Sequence, residues 1–417
     1  MPPLKFCRSR LAIGCAVVAM ATVAIGPAWA DPVPSYEELL ERIGLTPGAL
    51  EADALVDAAE ARVRQAGVRP NPALSLEAEN AFGSGPFSGY DNAETTLSVS
   101  QDLELWGRRG ARVGVAQAEG RTSLLRRDLA TLDAAGRLAL AYAEAEAAER
   151  RLQLAQEALD LTIADARALM ILVEEGREPL FRGIQSQSQA AAARAALDEA
   201  QAERDAAFAR LTAVAMLPNP MTSIGASLLD REPPALVPTP STSPEVRVAE
   251  AERAAAESRI EVERVRARPD VRVSVGVRRY EAEDATALTF GVSMPLPLFD
   301  RNRGNYDAAQ AEFRAADARV MAATQTAQAD LAGAEARLRS ANSRVWATDG
   351  GVTAAEEAYR LSRIGFEAGR ISQLELSSSR AALIAARNAA VDARLARVRA
   401  EVDLARLQGR FPFGSSQ

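Results

Sequence analysis

The sequence predicts a mainly α-helical protein with a small β part, built as a duplicated strand hairpin in which each copy runs on into long antiparallel coiled-coil helices. Three observations predict it. Short segments recur in the two halves of the 417-residue chain, four runs alternate strictly between apolar and polar residues, and two stretches of roughly 65 residues contain no proline.

The first thirty residues, 1–30, read as an export signal to be set aside before the fold is considered. Lys5, Arg8 and Arg10 precede the apolar run from Leu11 to Ile25, and Ala28-Trp29-Ala30 supplies small residues at a cleavage position before Asp31. The run is shorter than the roughly 20 residues that span a bilayer. Both cysteines, Cys7 and Cys15, lie inside this segment, so no thiol or disulfide chemistry is expected of the mature chain. Ala12-Ile13-Gly14-Cys15 faintly resembles a lipoprotein box, but the apolar core follows that cysteine, so a lipid anchor would lack its usual signal. Removing the three cations takes the net charge from −7 to −10, a poor basis for binding nucleic acid.

Leu105-Trp106-Gly107-Arg108 is answered 193 residues later by Leu298-Phe299-Asp300-Arg301. Gln117-Ala118-Glu119 and Gln310-Ala311-Glu312 share that offset, as do Glu175-Gly176-Arg177 and Ala368-Gly369-Arg370. A duplication follows: a first repeat over 31–217, a Pro-rich linker over 218–243, a second repeat over 244–410 and a tail over 411–417.

Each half opens on a helix, Ala49 to Gly67 or Pro244 to Ala267, and continues into two strands. Val271, Val273, Val275 and Val277 alternate with Arg272, Ser274, Gly276 and Arg278, and Leu288, Phe290, Val292 and Met294 with Thr289, Gly291 and Ser293. Leu74, Leu76 and Ala78 alternate with Ser75, Glu77 and Glu79, and Leu97 and Val99 with Thr96, Ser98 and Ser100. The first hairpin loop, Ala81 to Asn92, is rich in Gly, Ser and aromatics, and the second, Glu281 to Ala285, is short and acidic. Helix formers then run from about Arg108 to Val173 and from about Asn302 to Phe366, a reach of ~100 Å each. Gly176 and Gly369 stop them, and return helices extend to about Leu217 and Gln408.

Four strands with one apolar face either hide that face under helices or show it to lipid. The export signal, the charged alternates and the lack of a spare amphipathic helix favour lipid. Backbone groups in a membrane must all be paired, so the strands have to close into a barrel. Barrels begin at about eight strands, so several copies must share one.

With these residues the chain resembles the TolC family of outer-membrane efflux proteins from about Ala49 to Leu407. The likeness rests on the duplicated plan, on the paired turns Glu175-Gly176-Arg177 and Glu367-Ala368-Gly369-Arg370-Ile371-Ser372, and on Met294-Pro295-Leu296-Pro297-Leu298-Phe299-Asp300-Arg301-Asn302-Arg303-Gly304-Asn305. That last run is similar to the strand-to-helix junction of the heavy-metal, CzcC-like branch. The resemblance implies a homotrimer with a twelve-stranded outer-membrane β-barrel continued by a periplasmic α-barrel. It also implies partners: outer-membrane lipid, a periplasmic adaptor of the membrane-fusion type, and an inner-membrane RND pump of a tripartite system.

Several residues become candidates. Glu375 matches an acidic position near the family's tunnel mouth, where a carboxylate ring favours cations; its plain alternative is a solvated helix face. Ser378 stands where a second acid would be expected. The helix tips, Gly176, Arg177, Gly369, Arg370 and Ser372, are candidates for adaptor docking, against the alternative of simple helix termination and dipole compensation. Trp106 and Phe299 occupy equivalent junctions, as interfacial aromatics or as buried plugs.

No enzyme is expected. The chain has no histidine, its only lysine is Lys5, and no phosphate-cradling glycine loop is present. No cofactor or tightly held metal is expected either. The resemblance makes the expected function a passive outer-membrane exit duct of a tripartite RND-type efflux system carrying heavy-metal cations, with drugs or a secreted polypeptide as alternative cargoes; a periplasmic coiled-coil adaptor or scaffold is the alternative of another class.

Overall fold

The computed structural model describes residues 34–232 and 242–414. The export-signal segment 1–30, and with it Cys7 and Cys15, lies outside the described residues, as does 233–241 of the Pro-rich linker.

The described chain runs α1 (Tyr36–Glu41), α2 (Pro47–Ala66), β1 (Ala73–Glu79), β2 (Glu94–Leu103), α3 (Arg108–Glu174) and α4 (Leu180–Val214). It continues with α5 (Pro244–Arg266), β3 (Val271–Tyr280), β4 (Ala285–Ser293), α6 (Arg303–Glu367) and α7 (Gln373–Leu407). Ser35 caps α1, whose helix the sequence pattern did not announce. Pro47 and Pro244 open α2 and α5, where a missing N–H costs nothing because no intrahelical partner exists for it.

The 67 residues of α3 and 65 of α6 make rods of ~100 Å. Each packs against its return helix, α3 on α4 and α6 on α7, and α3 also meets α7. Nearer the strands, α2 and α5 lie against α3, and α5 against α6. Ion pairs mark these seams: Arg259 to Glu119 at 2.6 Å and Arg253 to Asp317 at 3.0 Å near the sheet, Arg399 to Glu144 at 2.9 Å farther along.

The main core sits at mid-rod, where Tyr36, Leu138, Tyr142, Leu211, Leu229 and Val398 are fully buried. Residues 216–232 cross α3 there as a strap. The Tyr142 hydroxyl donates to the Ala226 carbonyl at 2.8 Å, and the buried Glu146 carboxylate accepts from the Leu228 and Leu229 amides at 2.8 and 3.2 Å. Glu146 also accepts from the Ser227 hydroxyl and from Arg150, both at 2.6 Å. The chain's tail closes the ring, since Tyr36 donates to the Pro412 carbonyl at 2.8 Å and its ring centroid is 6.0 Å from that of Phe413.

On the far side of this core Arg397 donates to the Leu229 and Arg231 carbonyls at 2.8 Å each. Its ion-pair partner Glu401, 3.5 Å away and also buried, is pushed up by burial to about 7. The folded state therefore holds that proton more tightly than the unfolded chain. Its stabilising contribution is whole below about pH 4.5 and is lost as pH rises through about 7, on the order of 3 kcal/mol at most. Unfolding free energy should fall over that window, and Glu401→Gln should flatten the slope in denaturant titrations run across it.

Candidate functional site: an exposed apolar sheet and the tips of two helical hairpins

The strands form one antiparallel sheet in the order β1-β2-β3-β4. The two hairpins are thus joined through β2 and β3, a contact between the halves. Register stacks like residues across the sheet: Leu76, Leu97, Val277 and Leu288 form one row, and Leu74, Val99, Val275 and Phe290 the next. Nothing within the described chain covers this face. Leu74 is 71 % exposed, Phe290 79 % and Val292 75 %. An apolar face of this extent belongs against another surface.

The opposite face is polar. Ser75 hydrogen-bonds Ser98 at 2.8 Å, Arg272 holds Asp102 at 2.6 Å, and Arg278 reaches Glu94 at 2.9 Å and Glu79 at 3.2 Å. Position 276 on this face is a glycine because a Cβ there would stand 2.7 Å from the Leu97 carbonyl oxygen, closer than neighbouring backbones tolerate. β1 and β4 each leave one edge unpaired among the described residues. A sheet that is apolar outside, polar inside and open at both edges satisfies its backbone in lipid only by closing with further strands.

At the junctions the chain turns through left-handed residues, Trp106, Gly107 and Asn302. Arg108 donates to the Arg266 and Arg268 carbonyls, and Arg112 to those of Ala66 and Val68, serving the free carbonyl ends of α5 and α2. Trp106 is half exposed, with its indole N–H on the Pro269 carbonyl at 3.2 Å and the Arg268 guanidinium 5.4 Å from the ring. Phe299 is 99 % exposed.

At the opposite ends, both hairpins turn by the same device. Gly176 and Gly369 adopt φ of 70° and 68°, and the amides that follow, of Arg177 and Arg370, return to the carbonyls of Leu172 and Gly365 at 2.8 Å each. This closes the last turn of α3 and α6 and leaves both arginine side chains exposed. Arg177 meets only Glu175 among the described residues, at 3.4 Å.

Glu375 is exposed one turn into α7, but its carboxylate bends back onto its own helix start. It accepts from the Ser372 amide at 2.7 Å and the Ser372 hydroxyl at 2.9 Å, while the Glu375 amide donates to Ser372 Oγ at 3.3 Å. These bonds hold the Glu375 carboxyl below the usual range, so it carries its charge in this arrangement. Ser372 and Glu375 stand at the Ser-x-x-Glu spacing that announces such a capping box in a sequence. Pro179, which precedes α4, gives it no side-chain cap, so the two tips differ. Ser372→Ala should cost α7 about 0.5–2 kcal/mol, read as faster amide exchange in its first turn, and should raise the Glu375 pKa.

A residue that sequence reasoning missed lies a turn above. Arg380, only 6 % exposed, pairs with Asp165 on α3, whose carboxyl is pushed up by burial against the pull of that guanidinium. The two are 215 positions apart, so no local signal links them. Ser378 is exposed.

These features define a class: a subunit that gives four strands to a membrane barrel and carries long helical hairpins away from it. The chain belongs to the outer membrane efflux protein family, whose model matches residues 47–215 and 240–410. It is 38 % identical over 309 residues to the nickel-cobalt-cadmium resistance protein NccC of Alcaligenes xylosoxydans xylosoxydans, covering 73 % of this chain and 70 % of that one. It is also 38 % identical over 307 residues to the nickel and cobalt resistance protein CnrC of Cupriavidus metallidurans, covering 73 % and 72 %. The fold is that of CusC, whose crystal structures concern transmembrane channel formation: TM-score 0.77 at 20 % identity, over 90 % of this chain and 92 % of that one. No helix among the described residues is long and apolar enough to cross a membrane.

Proposed function

We propose that the chain is the outer-membrane exit duct of a tripartite RND-type efflux system and that its cargo is a heavy-metal cation. The exposed apolar face on a sheet with two free edges carries the duct reading. Three copies, each giving four strands, would close a twelve-stranded barrel and set six helical hairpins side by side as a tunnel. Residues 1–30 would direct export, and the halves 31–217 and 244–410 would be the two repeats of each wall segment.

Heavy-metal cargo is supported by the two relatives at 38 % identity, both metal-resistance proteins. The Glu375 carboxylates would meet around the tunnel mouth and favour cations weakly, as a passage that must release its cargo requires. Arg177, Arg370 and the Ser372 turn would meet the adaptor, Gly176 and Gly369 would shape those tips, and Trp106 and Phe299 would sit at the periplasmic interface of the outer membrane.

Deleting the gene should sensitise cells to nickel, cobalt or cadmium more than to hydrophobic drugs, with rescue by the intact gene. A drug-only phenotype would move the cargo assignment and leave the duct standing. Arg177→Glu with Arg370→Glu should abolish rescue while leaving the outer-membrane oligomer intact; full rescue would remove the tips from docking.

A further inference from the structure

We infer that Phe82 and Tyr90, in the loop between β1 and β2, form a second aromatic anchor that seats this end of the barrel in the headgroup region of the outer leaflet. This rests on the outer-membrane reading above.

The loop is folded, with defined internal contacts. The Phe82 amide donates to the Gly89 carbonyl at 2.7 Å and the Gly83 amide to the Phe87 carbonyl at 2.8 Å, around a short 3-10 turn at Gly85–Phe87. The Tyr90 hydroxyl hydrogen-bonds the Thr95 hydroxyl. Thr95 alternates with Leu97 and Val99 along β2 and so shares their face. Tyr90 therefore lies over the end of the apolar face, and Phe82, with its ring centroid 6.0 Å from that of Tyr90, is carried to the same side while 80 % exposed.

The apolar band ends at this level. Thr95 stands opposite Arg279, which bonds Glu281 and Asp284 at 2.9 Å each. From Thr95 to Leu103 the strand covers about 26 Å. At a tilt of 35–45° that is about 20 Å of height, and the aromatics beyond each end bring it to the band of about 25 Å that barrels show to lipid. Trp106 and Phe299 lie past the other end, so Phe82 and Tyr90 fall where the matching girdle belongs. An exposed phenyl ring beside a half-exposed phenol suits a layer that is apolar below and wet above.

The test places a bimane fluorophore on Phe82→Cys, and separately on Phe290→Cys in the middle of the apolar face. No cysteine follows Cys15, and labelling of the unsubstituted chain sets the blank. The full assembled protein goes into phosphatidylcholine vesicles carrying nitroxide either at the fifth or at the twelfth acyl carbon. The label at 82 should be quenched at least about twofold more by the shallow nitroxide than by the deep one, and the label at 290 should show the reverse. Quenching at 290 with none above the blank at 82 overturns the anchor and leaves the barrel standing. No quenching at either position overturns the lipid-facing sheet itself, and the anchor with it.

Discussion

Val275→Arg is expected to abolish the assembled channel. Val275 stands in a middle row of the apolar face between Val99 and Phe290. An arginine near the bilayer midplane of a barrel costs about 2–4 kcal/mol, and every copy sharing the barrel would bear that cost. Outer-membrane fractions should lose the detergent-resistant oligomer. Ser75→Arg is the matched control, because Ser75 occupies the polar face one position from Leu74 and Leu76 and is exposed. It should assemble normally. Equal assembly of the two variants would mean that the valine and leucine rows do not face hydrocarbon.

Glu146→Ala should loosen the strap at mid-rod. The carboxylate is 4 % exposed and accepts from two backbone amides, a hydroxyl and a guanidinium. Its removal leaves Arg150 with Asp230 alone as an acidic partner and strips the Leu228 and Leu229 amides, in a place water reaches poorly. Breaking one partner of a buried charged set costs about 3–5 kcal/mol. Amide exchange over residues 226–231 should accelerate strongly. Asp160→Ala, at an exposed position on the same helix, should change stability by no more than about 0.5 kcal/mol. Unchanged protection at 226–231 in the Glu146 variant would show that the strap is held by its leucines instead.

The parts of the molecule that were readable in advance are those whose cause is local. Alternation along Val271 to Val277 needs only the two-residue period of a strand, and Gly176 and Gly369 end helices because their own backbone goes left-handed. The long helices begin and end within two residues of where composition placed them. The mid-rod core was opaque for an equally physical reason. Between Leu132 and Ala148, α3 is ringed by α4, α7, the strap and α1, so alanines are buried on every side and no apolar stripe remains to be read. Glu375 is legible as an acid near a tip, and its spacing from Ser372 is the local signal for the bonds between them. Arg380 gave no sign at all, because its partner Asp165 lies in the other half.

The sequence by itself determined the inventory: which stretches are strand, which are rod, where each rod turns, and which side of every strand is apolar. It also required more than one copy, since four strands cannot close a barrel alone. Only the tertiary structure decided that β2 pairs with β3, that residues 216–232 lie across α3 on Tyr142 and Glu146, and that Arg397 and Arg380 are buried. Local patterns repeat every two or every three to four residues and so specify conformation, whereas pairing between distant segments is a competition among many partners with the same pattern. That competition is settled by register and by the satisfaction of each buried polar group, which exist only once the segments meet.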